Sequence, residues 1–148
     1  MGPKRYTEPP CHIKDLPVVD LVVISHSHYD HLSHPSVTKI HEAHPNAHFL
    51  VGLGLKKWFH ECGIQNVEEM DWWNDVDITL SPSTGEKRIS RASENTVPKS
   101  GAEDIKARIS CLPCQHTSAR TAFDKGATLW CSWAVESGGK SVWFGGDT

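Results

Sequence analysis

The chain has 148 residues, of which 38% are hydrophobic and 22% charged, an ordinary globular composition long enough for one domain with a buried core. No apolar run approaches the roughly 20 residues of a membrane-spanning helix. With 15 basic and 18 acidic side chains, the formal charge of -3 lacks the basic surplus that phosphate-backbone contacts require, which argues against nucleic acid as a partner.

The entry segment, MGPKRYTEPPCHIKDLP, has no apolar core of the secretory type, and five cysteines cannot all pair within one chain. Both features point to a reducing compartment. Val18 to Ile24, reading VVDLVVI, is expected to be a strand buried on both faces. Pro35 can occupy the first turn of a helix that carries Val37 and Ile40 on one face and stops before Pro45. A short strand at His48 to Val51 follows, then a helix from Leu55 to Cys62 closed by Gly63. Strand, helix, strand, helix indicates an α/β layer. Val67 to Met70 and Val76 to Leu80 are expected to be short strands on either side of an Asp71-Trp72-Trp73 corner. From Ser81 to Asp104 the sequence turns polar, and a disordered insertion is expected at 81–104 within one domain spanning 1–148. Ile105, Ala107, Ile109 and Cys111 alternate with polar residues, as in a half-exposed strand. Thr128 to Val135 and Ser141 to Phe144 flank Gly138-Gly139, a hairpin signal. Six tryptophans are many for this length; core packing is the first reading, and exposure for a partner or lipid surface the second.

His26, His28, Asp30 and His31 form H-x-H-x-D-H directly after the VVDLVVI strand, where a loop at a sheet edge can present ligands. Neutral imidazole suits zinc, and residues two apart in extended backbone point the same way. Asp30 and His31 lie beyond the bend and can face a second ion, as in two-metal hydrolases. His12, His34, His41, His44, His48 and His60 show no ligand spacing and are read as solvated or capping groups. Cys111 and Cys114 form C-x-x-C without a second pair at ribbon spacing, so Cys111 is read as a small buried apolar residue rather than half of a zinc ribbon or a redox pair.

This pattern resembles the metallo-β-lactamase superfamily. The resemblance implies that His116, after Gln115, joins His26 and His28 on a first Zn2+, and that Asp147, after Gly146, bridges to a second Zn2+ held with Asp30 and His31. Asp30 and Asp147 would be the catalytic carboxylates. Within the superfamily, VVISHSHYDHL, VGLGLKKWFHECG, the DWW corner, and W-x-S-W-x-V leading to FGGDT resemble the N-acylphosphatidylethanolamine-hydrolysing phospholipase D family. It implies an αββα sandwich, here partial, without the N-terminal strands, most of the second half and the final His ligand, as in an interior fragment or truncated form. The implied activity, impaired in such a chain, is hydrolysis of the phosphodiester to phosphatidic acid and an N-acylethanolamine by water activated between two metals. A phospholipid substrate at a membrane surface, an intracellular location peripheral to that membrane and a homodimer of the intact parent also follow from the resemblance. A hydrolase of lactones or thioesters and a non-catalytic metal-binding remnant are the rival readings.

Overall fold

The computed structural model describes residues 6–92 and 104–148, which group into two compact units. The first unit comprises the chain to Glu69 together with Thr117–Leu129; the second comprises Met70–His116 and Trp130–Thr148.

In the first unit, β1 (Leu21–Ile24), β2 (His48–Gly52) and β3 (Val67–Met70) form a sheet of order β1-β2-β3, with Leu21 opposite His48 in the parallel pairing of β1 and β2. Helix α1 (His34–Ala43) starts at Ser33, whose hydroxyl accepts the Ser36 N–H at 3.4 Å, with Pro35 in the first turn, where an amide hydrogen has no helical partner. It ends at His44, whose N–H donates to the Ile40 carbonyl, just before Pro45. Helix α2 (Lys56–Glu61) is short and ends before Gly63, which takes the left-handed conformation at φ 81°. Between sheet and helices lie Leu32, Val37, Phe49, Val51, Phe59 and Ile64, with the rings of Phe49 and Phe59 5.2 Å apart. Each such ring contributes about 2 to 3 kcal/mol by leaving water. Gly52 ends β2 where a Cβ would meet the Leu129 carbonyl oxygen at 2.7 Å, so only glycine lets that backbone pass.

The strand expected over Val18 to Ile24 is shorter and less buried than its composition suggested. Val18 is 80% exposed, Leu21 to Val23 are half-buried and only Ile24 is buried. Its place at the edge of the sheet accounts for this, because an edge strand is covered from fewer sides.

The second unit is an antiparallel sheet of β4 (Asp75–Ser81), β5 (Glu86–Arg91), β6 (Ile105–Leu112), β7 (Ser132–Ser137) and β8 (Lys140–Phe144), in the order β5-β4-β6-β7-β8. Val76, Ile78, Ile109, Cys111 and Trp133 are its buried apolar residues. Strand β5 corrects the expectation of disorder at 81–104 for its first part: Glu86–Arg91 pairs with β4, setting Ile89 opposite Ile78. An edge strand with no fully buried residue needs few apolar ones, so its polar composition resembled an irregular segment. The rest of that expectation, at 93–103, lies outside the described residues.

Simple alternation on β6 also breaks at Arg108, which is buried. It stands opposite Asp77 on β4 and meets it through two hydrogen bonds, Nε to Oδ1 at 2.9 Å and Nη2 to Oδ2 at 3.1 Å. The fork of a guanidinium matches the two carboxylate oxygens, which makes burial of both charges tolerable. Hydrogen bonding to Asp77 raises the Arg108 pKa further above its ordinary value. The hairpin signal is realised as a two-residue turn between β7 and β8, with φ 57° at Gly138 and 74° at Gly139. Strand β7 starts at Ser132 rather than Thr128, because Leu129 instead donates its N–H to the Leu53 carbonyl at 2.8 Å in the first unit.

Candidate metal centre

The loop after β1 begins in the interior: Ser25, His26 and Ser27 are 3%, 1% and 2% exposed. The Ser25 hydroxyl lies 3.0 Å from His26 Nδ1, which turns Nε2 of the same ring toward His28, whose Nδ1 is 2.9 Å away. The loop then folds back on itself through the N–H groups of His31 and Leu32, which both donate to the His28 carbonyl. That bend brings the His31 ring centroid within 4.2 Å of the His26 ring and places Asp30 Oδ2 3.6 Å from His31 Nε2. The first unit thus gathers His26, His28, Asp30 and His31, the four positions of the H-x-H-x-D-H motif. Exposure rises from His26 in the core to the Asp30 side chain at 78% and falls again to 21% at His31.

Residues 117–129 hold this loop from its other side. Ser118, fully buried, accepts the Ser27 N–H at 3.1 Å, and its hydroxyl lies 2.7 Å from those of Ser27 and Thr128. Arg120 donates from Nη1 to the carbonyls of Ser27 and Leu32, each at 2.9 Å, while its guanidinium carbon sits 4.3 Å from the Tyr29 ring centroid and 5.1 Å from that of Trp58. The Asp124 carboxylate accepts the N–H groups of Arg120 and Thr121 and the Thr121 hydroxyl. Those bonds, led by the Thr121 N–H, hold its pKa below the ordinary carboxylate value. Neither Ser118 nor Arg120 stands out in the sequence, apart from following closely on His116.

The second unit places His116 just beyond β6 and Asp147 just beyond β8, with Nε2 and Oδ2 3.8 Å apart. The tryptophan motifs brace these strand ends. Trp72 donates from its indole to the Trp130 carbonyl at 2.7 Å, Trp130 donates to the Cys114 carbonyl at 3.1 Å, and the Gln115 N–H reaches the Thr148 hydroxyl at 3.2 Å. Of the six tryptophans, Trp133 is fully buried, while Trp73 and Trp143 are 72% and 60% exposed, so core packing accounts for only part of their number. Cys111 is fully buried, as its alternating strand suggested, and no disulfide joins the described cysteines. Its hydrogen bond with Cys131 and the burial of Cys131 raise the Cys131 pKa far above the ordinary thiol range, which keeps that thiol neutral.

The imidazole donors of the first unit could bind a metal ion. Tetrahedral zinc with Zn–N bonds of about 2.0 to 2.1 Å separates its nitrogen ligands by about 3.3 Å. The 2.9 Å between the His26 and His28 nitrogens needs only a small opening to reach that spacing. A hydroxyl on the far nitrogen of His26 is the outer contact that commonly orients a ligating imidazole.

The profile of the family described as "Beta-lactamase superfamily domain" matches residues 1–148. The chain belongs to the metallo-β-lactamase superfamily. Among curated members similar to it, N-acyl-phosphatidylethanolamine-hydrolyzing phospholipase D 1 of Caenorhabditis elegans is 34% identical over 99% of this chain and 36% of its own length. The mitochondrial N-acyl-phosphatidylethanolamine-hydrolyzing phospholipase D of Saccharomyces cerevisiae is 28% identical over 100% of the chain and 27% of its own length. An uncharacterized protein of Mycobacterium tuberculosis is 33% identical over 100% of the chain and 33% of its own length. The chain therefore spans about a third of the length of these superfamily relatives. Its mixed architecture of two sheets and few helices is consistent with a partial fold of the superfamily.

Proposed function

We propose that the chain carries metal ligands of a zinc-dependent phosphodiesterase that cleaves N-acylphosphatidylethanolamine to phosphatidic acid and an N-acylethanolamine. The observation that carries this reading is the facing pair of imidazole nitrogens, 2.9 Å apart on a buried loop, in a superfamily member whose similar worm and yeast relatives bear that activity in their names. In this proposal His26, His28 and His116 hold one zinc ion, and Asp30, His31 and Asp147 hold a second. Zinc bound there would supply Lewis-acid polarisation of a phosphoryl oxygen and acidification of water.

The chain's own residues do the rest. His26 and His28 offer imidazole nitrogens, and the Ser25 hydroxyl fixes which nitrogen of His26 faces inward. Asp30, at the wet end of the loop with Oδ2 3.6 Å from His31 Nε2, can offer a carboxylate oxygen to an incoming water. A lipid substrate would be met at a membrane surface, peripherally and from the intracellular side, if the chain acts as its relatives are named; no described helix is long and apolar enough to cross a membrane.

Metal content tests the ligand assignment. His28→Ala protein that remains folded by circular dichroism should lose bound zinc per chain; unchanged zinc would overturn it. Offering N-acylphosphatidylethanolamine vesicles, a lactone and a thioester in parallel tests the substrate, and turnover confined to the lactone or thioester would replace the phosphodiester reading.

A further inference from the structure

We infer that Arg120 is the positioning residue of the metal-binding loop, holding Ser27–Leu32 in its ligand-presenting shape before any ion arrives. The inference rests on the metal reading above and adds a residue to it. One nitrogen of Arg120, Nη1, donates to the carbonyl that opens the segment and to the carbonyl that closes it, Ser27 and Leu32, at 2.9 Å each. The same guanidinium lies over the ring of Tyr29 near the apex, 4.3 Å from its centroid. Entry, apex and exit of the loop carrying His28, Asp30 and His31 are thereby fastened to one side chain.

Arginine suits this work. Its guanidinium keeps its charge at any working pH, offers several donors in one plane and stacks on aromatic faces, whereas a lysine ammonium offers no flat surface and a different donor geometry. The residue and the segment around it are themselves held in place. Asp124 accepts the Arg120 N–H, Trp58 of α2 lies under the guanidinium at 5.1 Å, and Ser118, two residues earlier, accepts the Ser27 N–H. A loop ordered in advance spends less of its binding free energy on its own ordering, so the clamp should appear as metal affinity. An arginine present only to meet substrate phosphate would have its donors turned outward and would leave affinity for the metal unchanged.

The test compares wild type, Arg120→Lys and Arg120→Ala by amide exchange across residues 27–32 in the metal-free protein, by zinc competition against a chromophoric chelator, and by the visible spectrum of the cobalt(II) protein. Loss of the clamp should speed exchange there on the order of tenfold, as expected when charge-assisted hydrogen bonds are removed. It should weaken zinc on the order of ten- to a hundredfold, the usual effect of losing an outer-shell partner. The cobalt spectrum should shift, and added methylguanidinium should restore both affinity and spectrum in Arg120→Ala. Wild-type exchange and zinc affinity in Arg120→Lys would overturn the inference, and that variant carries the test if Arg120→Ala fails to fold. Absence of zinc from the wild type would instead strike the metal reading, while exchange in the metal-free proteins still decides whether Arg120 holds the loop.

Discussion

In the first unit the ligand loop leaves a strand backed by Phe49, Phe59 and Leu32, all fully buried, and it is fastened again by Ser118 and Arg120. In the second unit His116 and Asp147 stand at the ends of strands in a sheet whose last strand, β8, is exposed along its whole length, and indole N–H bonds brace them. The contrast teaches that candidate ligands are presented in two ways here. One set depends on a packed core for its shape, and the other on hydrogen bonds at the tips of strands.

The largest expected effect tests the dependence on core packing. Phe59→Ala should cost about 3 to 5 kcal/mol and lower the melting temperature sharply, because a fully buried ring would leave a cavity. A loss below about 1 kcal/mol would mean that the core under the loop is looser than the contacts imply. Next comes the second unit's buried ion pair. Asp77→Ala should cost about 3 kcal/mol by leaving Arg108 without its carboxylate, at the low end for a broken buried pair since about a tenth of each side chain still meets water. If denaturant titration gives a value typical of surface pairs, the sheet does not depend on that contact.

The smallest effect is one of pH. The Asp124 pKa is depressed, chiefly by the Thr121 N–H, so its contribution to stability is present above the unfolded carboxylate value of about 3.9 and is lost as pH falls through the lower folded value. Asp124→Asn should therefore lower the melting temperature slightly at neutral pH and flatten the acid limb, so that the two proteins converge as the pH falls. An identical acid limb in both proteins would argue against the turn around Asp124 as a support of Arg120.

Local signals were legible in the sequence. Ser33, Pro35 and Pro45 bracket α1, Gly138-Gly139 sets the β7–β8 turn, and H-x-H-x-D-H marks the loop, because each depends on neighbours a few residues away. What escaped depends on partners distant in the chain. Arg108 is buried because the strand register sets Asp77 opposite it, and β5 is a strand because β4 offers it a paired edge. Arg120 reaches back 93 residues to Ser27, a distance over which no periodicity speaks.

Gly52 limits how this loop system can be exchanged. Residues 117–129 belong to the first unit and end there at Leu129, whose carbonyl passes where a side chain on residue 52 would stand. Residues 117–129 and the end of β2 therefore constrain one another. A graft of 117–129 into another scaffold must bring a bare position at the end of β2, or the returning chain will be pushed outward and Ser118 and Arg120 will close on a displaced loop.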